Sequence, residues 1–355
     1  MPTVASVAAE SMAALRLAVP PHTAGRFPRQ VELLNPQPGL WERKPVTELF
    51  GDRLWAAVEA KRTPACVGLD PLWDRLPEPI RRAHGGAGVP DDATGAGALQ
   101  EFCLGVLDAV AELVPVVKIN SAFFERYHTP GWHAFYEVVQ AARDRGLLVI
   151  GDVKRADIGH STTQYAAAHL APVAQGNTSS AATPDAVTVN PYLGYDGVGP
   201  FVDVARTCGR GVFVLVQTSN ASAVQLQGLK LVDGQPFCLR VAQLVNEWAS
   251  APGLIGAAGF SAVGAVVSPG AAADVATVRA AMPQCFFLVP GFGAQGRGAA
   301  DVRGCFTSDG RGAIVNASRS VLYAYETVAD RRDWRGAVAA AARQFIIELR
   351  AVTGR

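Results

Sequence analysis

Short apolar runs alternate along this chain with longer segments that have helical spacing. The run LLVIGDV at Leu147–Val153 is typical, because it is apolar at nearly every position and rich in β-branched residues. Such runs predict strands buried on both faces, and intervening helices predict that these strands pair in parallel. The predicted strands are Ala65–Leu69, Pro115–Ile119, Leu147–Val153, Asp185–Val189, Val212–Gln217, Ala262–Val267, Phe286–Pro290 and Gly312–Asn316.

The segments between these strands predict the helices of an α/β fold. Clear helical spacing covers Ala98–Leu113, His133–Arg145 and Pro236–Trp248. Eight strands alternating with helices in one chain predict a closed (β/α)8 TIM barrel over residues 46–355, and a doubly wound open sheet is the alternative. Residues 1–45 are expected to form a poorly ordered extension, since they contain several prolines and little hydrophobic periodicity.

The composition of the chain argues against several classes of function. The formal net charge is +1 and the isoelectric point is about 7.7, so nucleic acid or an anionic membrane is not an expected partner. No apolar stretch without proline or glycine predicts a membrane span, and the first residues lack the basic start of a secretory signal. The six cysteines form no CxxC pair, which favours reduced thiols in a cytoplasmic protein.

Polar residues follow almost every predicted strand. In a barrel enzyme the active site lies at the carboxyl ends of the strands, so these residues are the candidates for chemistry. The side chains or segments in question are Asp70, Asn120 in KIN, Asp152 with Lys154, Asn190 in NPYLG, Ser219 in QTSN, Pro290 in PGFGAQG and Arg319 in NASRS.

The densest cluster is GDVKRADIGHST at the end of the third strand. Strand alternation would place Asp152 and Lys154 on one face and Val153 and Arg155 on the other. An ordinary ion pair at the rim of the barrel is the alternative interpretation of this pair. The even distribution of polar residues over the other strand ends favours a functional role.

The last two strand ends predict a phosphate site. The loops after strands seven and eight of a barrel commonly hold phosphate, and PGFGAQGRG offers glycine backbone amides together with the Gln295 amide. Arg319 adds a guanidinium that can bind phosphate through two hydrogen bonds.

The remaining charged candidates form an array of lysines and carboxylates: Asp70, Lys118, Asp152, Lys154 and Asp157. The histidines are scattered, so no metal site is predicted, and neither a nucleophile elbow nor a nucleotide-binding glycine motif is present. Such an array suits either proton donation to a carbanion or a Schiff-base lysine.

These motifs together resemble the orotidine 5′-phosphate decarboxylase family, in particular its longer bacterial subgroup (type 2). The resemblance covers about residues 67–322. It rests on the ordered motifs GLDP, VKIN, DVKRADIG, VTVNPYLG, QTSN, PGFGAQG and NASRS. It implies conversion of orotidine 5′-phosphate to uridine 5′-phosphate (UMP) and CO2, the last step of UMP synthesis, without a metal or an organic cofactor.

The resemblance also implies roles for single residues. Lys154 would protonate C6, and Asp152 would lie against the substrate carboxylate. Lys118 and Asp70 would lie near the ribose, and Ser219 would contact the pyrimidine. Gln295 and Arg319 would bind the phosphate. Asp157 would reach into the other active site of a homodimer, and Ser161 stands where the family commonly has threonine.

Two other functions stay open at this point. One is a metal-dependent sugar-phosphate decarboxylase or synthase built on the same DxKxxD strand. Lys118 argues against it, because those relatives carry an acidic residue there. The other is a non-catalytic barrel that binds a phosphorylated metabolite. A binding module has no need of a buried ammonium group, so the complete Asp152, Lys154 and Asp157 set disfavours it.

Overall fold

A closed ring of eight parallel strands forms the centre of the molecule. This computed structural model describes residues 41, 46–86, 88–172, 182–270, 272–293 and 298–354. The strands pair in chain order, and β1 pairs with β8 to close the barrel. Their bounds are β1 Ala65–Leu69, β2 Val116–Asn120, β3 Leu148–Arg155, β4 Ala186–Val189, β5 Gly211–Gln217, β6 Val263–Val267, β7 Phe287–Val289 and β8 Ala313–Ala317.

The strands are buried at nearly every position, as expected when helices cover the outside of a parallel barrel. The described helices are α1 Phe50–Lys61, α2 Glu78–Ala83, α3 Asp92–Val110, α4 Ala122–Glu125, α5 His128–Asp144, α6 Gly159–His169, α7 Tyr195–Cys208, α8 Phe237–Ala249, α9 Val275–Ala281, α10 Ala299–Val302, α11 Arg319–Leu322 and α12 Trp334–Thr353. The predicted TIM barrel is therefore confirmed, and the open-sheet alternative is wrong.

The predicted elements differ from the observed ones mainly at their ends. Helix α3 begins at Asp92, six positions before the predicted start at Ala98. Its start is set by Asp91, whose side chain accepts a hydrogen bond from the backbone N–H of Thr94 at 2.8 Å. A side-chain cap of this kind can start a helix several residues before the first apolar residues that show helical spacing.

The predicted extension, residues 1–45, lies outside the described residues except for Trp41, which is buried in the core. Among the helices of the described part, none is long and apolar enough to cross a membrane.

Candidate active site

A cavity of about 460 Å³ opens at the carboxyl ends of the barrel strands. Its apolar wall comes from β5, β6 and β7, and its charged wall from β2 and β3. The apolar lining consists of Leu215, Val266, Leu288 and Pro290. The polar lining consists of Lys118, Asp152, Lys154, Thr218, Ser219, Asn220, Gln227 and Asn316. The cavity lies where the barrel fold predicts an active site.

Asp152 is the centre of the charged wall, because it pairs with two lysines at once. Its Oδ2 lies 2.9 Å from Lys118 Nζ, and its Oδ1 lies 2.5 Å from Lys154 Nζ. Lys118 Nζ also lies 3.3 Å from Asp70 Oδ1. The structure thus joins four of the five residues of the predicted array, all but Asp157, in a continuous chain of alternating charges.

Burial separates the two lysines. The side chain of Lys118 is 7% exposed, whereas that of Lys154 is 49% exposed. Burial by itself would lower the pKa of Lys118, but the carboxylates of Asp152 and Asp70 more than offset it and raise this pKa above its ordinary value. Lys118 is therefore a fixed cation, and Lys154 is the more accessible of the two ammonium groups that line the cavity.

The two lysines also keep Asp152 ionised. Burial of this carboxyl group would raise its pKa, but the charges of Lys118 and Lys154 and their hydrogen bonds hold it far below the ordinary value. Asp152 is thus a buried, permanent negative charge beside the cavity. It can position the Lys154 ammonium and repel an anionic group of a bound ligand.

Lys154 has an unusual backbone conformation. Its φ is 45°, in the left-handed region that residues other than glycine rarely adopt, and the pairing of β3 with β4 shifts register between Gly151 and Arg155. Strand β3 is therefore irregular at Lys154, yet Asp152 and Lys154 still lie side by side, as the sequence predicts. The bulge turns the lysine toward the cavity and the Asp152 carboxylate, a type of local strain that is common at functional sites.

Thr188 on β4 holds this bulge in place. Its hydroxyl accepts a hydrogen bond from the backbone N–H of Lys154 at 3.0 Å and donates one to Asp152 Oδ1 at 2.9 Å. One hydroxyl therefore positions both the strained backbone and the carboxylate. Sequence reasoning missed Thr188, because its place in the motif VTVN does not show which strand it bonds to.

We predict that Thr188→Val, which removes only this hydroxyl, lowers kcat about tenfold, because a buried hydrogen bond to each partner is lost. The apparent affinity for a product analogue should change by less than about twofold, since Thr188 does not line the cavity. Steady-state kinetics of Thr188→Val and Thr188→Ser check this. Thr188→Ser keeps the hydroxyl and should recover most of the activity; equal losses in both variants would contradict the positioning role.

Two further residues shape the end of β5. Gln227 accepts a hydrogen bond from Thr218 N–H at 2.9 Å and donates one to the Thr218 hydroxyl at 2.7 Å, which fixes the segment that carries Ser219. The buried Gln217 side chain donates to the carbonyl oxygens of Ser268 and Ala273 at 2.8 and 3.2 Å. Sequence reasoning gave neither glutamine a role: the partners of Gln217 are distant along the chain, and Gln227 lies in a segment without a recognisable motif.

Asn316 of β8 completes the floor of the cavity. A Cβ atom at Gly68 would lie 2.0 Å from Ser318 Oγ and 2.8 Å from Asn316 Oδ1. The glycine of GLDP is therefore needed so that β1 can approach these two side chains closely. NASRS pointed to this strand end, but only the barrel register shows that Asn316 faces β1.

The other predicted site residues lie around the cavity or away from it. Asn120 accepts a hydrogen bond from Ala122 N–H at 3.2 Å, and Asn190 accepts one from Tyr192 N–H at 3.0 Å and lines a neighbouring cavity. Ser161 is exposed on α6, and Arg319 is exposed at the start of α11. Gln295 lies outside the described residues.

Asp157 is the predicted catalytic residue that the structure does not bring into its own cavity. It does not line the cavity, and its carboxylate accepts a hydrogen bond from the backbone N–H of Ile158 at 2.8 Å. Asp157 is partly exposed just beyond β3. Its side chain is therefore separate from the array formed by Lys118, Asp152 and Lys154.

The described residues contain no group of three or more His, Cys, Asp and Glu side chains placed to hold a metal ion. The carboxylates of Asp70 and Asp152 are instead bridged by the ammonium of Lys118. A lysine at the centre of such a pair supplies the positive charge that a divalent cation would otherwise supply.

Comparison with known proteins agrees with this geometry. The family model described as "Orotidine 5'-phosphate decarboxylase / HUMPS family" matches residues 63–333. An orotidine 5′-phosphate decarboxylase of Rhodopirellula baltica is 40% identical over 85% of this chain and 99% of its own length. One from Deinococcus radiodurans is 37% identical over 86% of this chain and 97% of its own length.

Solved structures show the same similarity. The structure of Leishmania donovani OMP decarboxylase is 30% identical, has a TM-score of 0.63, and matches 86% of this chain and 99% of that chain. A crystal structure from Streptomyces avermitilis is 32% identical with a TM-score of 0.67, and it matches 87% of this chain and 97% of that chain. These similarities extend over the whole barrel, including every strand that contributes to the cavity.

Proposed function

Because this chain belongs to the orotidine 5′-phosphate decarboxylase family and decarboxylates orotidine 5′-phosphate to UMP and CO2 in pyrimidine biosynthesis, we propose that Lys154 is its proton donor. The observation that carries this proposal is the pairing of Lys154 Nζ with Asp152 Oδ1 at 2.5 Å in the wall of the cavity. Both lysines of the array line the cavity, and Lys154 is much the more exposed of the two, so we assign the proton transfer to Lys154 and not to Lys118.

The chemistry requires such a group. When the bond between C6 and the carboxylate breaks, the electron pair stays on C6, in an orbital that the pyrimidine π-system cannot delocalise. An N–H bond of the Lys154 ammonium then breaks and its proton bonds to C6, which gives UMP and a neutral amine. A preorganised ammonium is complementary to the charge that develops in the transition state, so it lowers the barrier without an electron-sink cofactor.

Asp152 supports this step in two ways. Its carboxylate positions the Lys154 ammonium by an ion pair, and its buried negative charge lies where it can repel the carboxylate of the substrate. Lys118 and Lys154 together balance the charges of Asp152 and Asp70. Lys118 lines the cavity and Asp70 pairs with it, so we propose that these two residues contact the ribose hydroxyls. Repulsion of this kind is relieved as CO2 leaves, so it favours the transition state over the ground state.

We assign the pyrimidine and phosphate ends of the substrate to the side of the cavity that faces away from the charged wall of β2 and β3. Ser219 lines the cavity at the end of β5, and Pro290 lines it at the end of β7. Arg319 follows β8, where a phosphate of a barrel substrate usually lies. Gln295 follows β7 in the sequence and is the second proposed phosphate ligand. We also propose that Asn120, Asn190 and Ser161 contact the substrate.

We further propose a homodimer in which Asp157 completes the active site of its partner. A Cβ atom at Gly197 would lie 3.1 Å from the Asp157 carbonyl oxygen and 3.3 Å from Leu193 Cβ, so Asp157 lies close to Leu193. Three large apolar residues of this region are exposed: Ile158 at 56%, Tyr192 at 70% and Leu193 at 43%. An exposed apolar patch beside a carboxylate that lies outside the cavity of its own chain is the pattern expected of a subunit interface.

No metal or organic cofactor is required in this proposal, and the protein is expected to act in the cytoplasm. We predict that the decarboxylation rate is unchanged, within about twofold, after exhaustive dialysis against EDTA, because the ammonium groups of Lys118 and Lys154 already neutralise Asp70 and Asp152. The loss of orotidine 5′-phosphate absorbance measures the rate. Activity that disappears on chelation and returns with Mg²⁺ would favour the metal-dependent sugar-phosphate enzymes instead.

Residues 1–45 are proposed to be an extension of a barrel domain that comprises residues 46–355. Deletion of residues 1–40 should leave kcat unchanged and lower the melting temperature by less than about 3 °C, because Trp41 and its buried contacts are kept. Calorimetry of the truncated and complete chains checks this. Deletion of residues 1–41 is the matched control, and its loss of the Trp41 side chain should cost more stability.

A further inference from the structure

A second large cleft lies outside the catalytic cavity. Its volume is about 960 Å³, and it is formed by the segment that follows β1 and the segment that follows α11. It has no lining residue in common with the catalytic cavity. We call it the arginine cleft after its five arginines, which are Arg75, Arg81, Arg82, Arg331 and Arg332.

Two of these arginines are already neutralised. Arg75 Nη2 lies 2.5 Å from Glu326 Oε2, and Arg82 Nη2 lies 2.6 Å from Glu78 Oε1. Arg75 also stacks on the Tyr323 ring, 3.7 Å from its centroid. These contacts fix the wall of the arginine cleft and use two of its three carboxylates.

The other three arginines have no carboxylate within ion-pair distance in the described part of the chain. Arg331 Nη2 donates a hydrogen bond to the Glu326 carbonyl oxygen at 2.8 Å, a neutral partner. The Nε–H of Arg81 is buried and has no hydrogen-bond partner among the described residues. Arg332 is exposed. Asp74, the third carboxylate of the cleft, is exposed as well, so the cleft has an excess of positive charge.

Asp330, next to Arg331 in the sequence, accepts a hydrogen bond from the backbone N–H of Arg332 at 3.0 Å and forms no ion pair with the arginine side chains of the cleft in the described part of the chain. The residues outside the described ranges contain three side-chain carboxylates, Glu10, Glu32 and Glu42. Residues 1–40 hold only two of these and three arginines, so this segment is itself net positive. The excess charge of the arginine cleft therefore favours a ligand rather than a segment of the same chain.

We propose that the arginine cleft binds an anion with two or more phosphate groups. Guanidinium groups bind phosphate oxygens in pairs, and three separate unpaired guanidinium groups require several negative charges on one ligand. The aromatic side chain that lines the cleft is Tyr325, which is buried and donates its hydroxyl hydrogen bond to the Arg75 carbonyl oxygen. The ring is thus unavailable for stacking on a base, so the site recognises the phosphates and not a nucleobase.

Isothermal titration of the full-length protein with inorganic tripolyphosphate tests this proposal. Saturating UMP blocks the catalytic phosphate site, and magnesium is omitted so that the free anion is measured. We expect one tripolyphosphate per chain, and Arg81→Gln/Arg332→Gln should weaken binding at least about tenfold. The matched control is Arg343→Gln, an exposed arginine of α12, which should change the affinity by less than about twofold.

Several results would overturn the proposal: no binding, unchanged affinity in Arg81→Gln/Arg332→Gln, or an equal loss in Arg343→Gln. ATP is a second probe, and its affinity should be within about threefold of that of tripolyphosphate. Binding of ATP but not of tripolyphosphate would show that the site recognises the base, which contradicts recognition of the phosphates.

Thermal unfolding shows whether the double variant folds, and Arg331→Gln replaces it if it does not. Because the readout is binding, the outcome is independent of the decarboxylase assignment.

Discussion

Lys154→Ala should lose at least about 10⁴-fold in kcat while it still binds UMP with nearly unchanged affinity. A proton donor alone contributes about 10²- to 10⁴-fold, and here the same group also stabilises the charge that develops on C6. The variant should fold, because Asp152 keeps its ion pair with Lys118 at 2.9 Å. Single-turnover kinetics and UMP titration measure the two effects separately.

Arg319→Ala is the contrasting variant. It removes the proposed phosphate contact and leaves the array of Lys118, Asp152 and Lys154 intact, so the affinity for UMP should fall first. Near-normal turnover in Lys154→Ala, or loss of UMP binding in Lys154→Ala but not in Arg319→Ala, would show that Lys154 is not the proton donor.

Subunit exchange between Lys154→Ala and Asp157→Ala proteins should restore roughly a quarter of the wild-type activity. Each variant alone is expected to be nearly inactive. In a mixed dimer, one active site combines an intact Lys154 with an intact Asp157 from the other chain, and the second site carries both defects. Random mixing makes half of the dimers mixed, and each of these has one complete site of two.

The structural basis of this expectation is the position of Asp157 outside its own cavity, beside the exposed residues Ile158 and Leu193. If Asp157 served its own barrel, every site in every dimer would keep one defect and no activity would return. Native mass spectrometry confirms that mixed dimers form. Mixed dimers without recovered activity would contradict the shared site.

The strands were predictable because each is a short apolar run that is buried on both faces. All eight predicted strands exist, and their ends differ by no more than two residues from the observed ones, as in Leu147–Val153 against Leu148–Arg155. The meeting of Lys118, Asp152 and Lys154 was predictable for the same reason, since parallel strands bring their carboxyl ends to one side of a barrel.

Other features depend on contacts that no local pattern contains. The bulge at Lys154 is set by the hydroxyl of Thr188 on a different strand. The orientation of Ser219 depends on Gln227, which is eight residues further along the chain and bonds back to Thr218. Periodicity gives the face of a regular strand, but it cannot give the direction of a side chain where the strand is irregular.

The most direct test of the account is the product balance of the metal-free protein acting on orotidine 5′-phosphate labelled with ¹³C in its carboxyl group. NMR follows labelled CO2 and bicarbonate together with UMP. The account predicts one labelled CO2 and one UMP for each substrate consumed by the wild-type protein, and none above background with Lys154→Ala. Unchanged substrate with the wild-type protein, or equal product formation by both proteins, would contradict it.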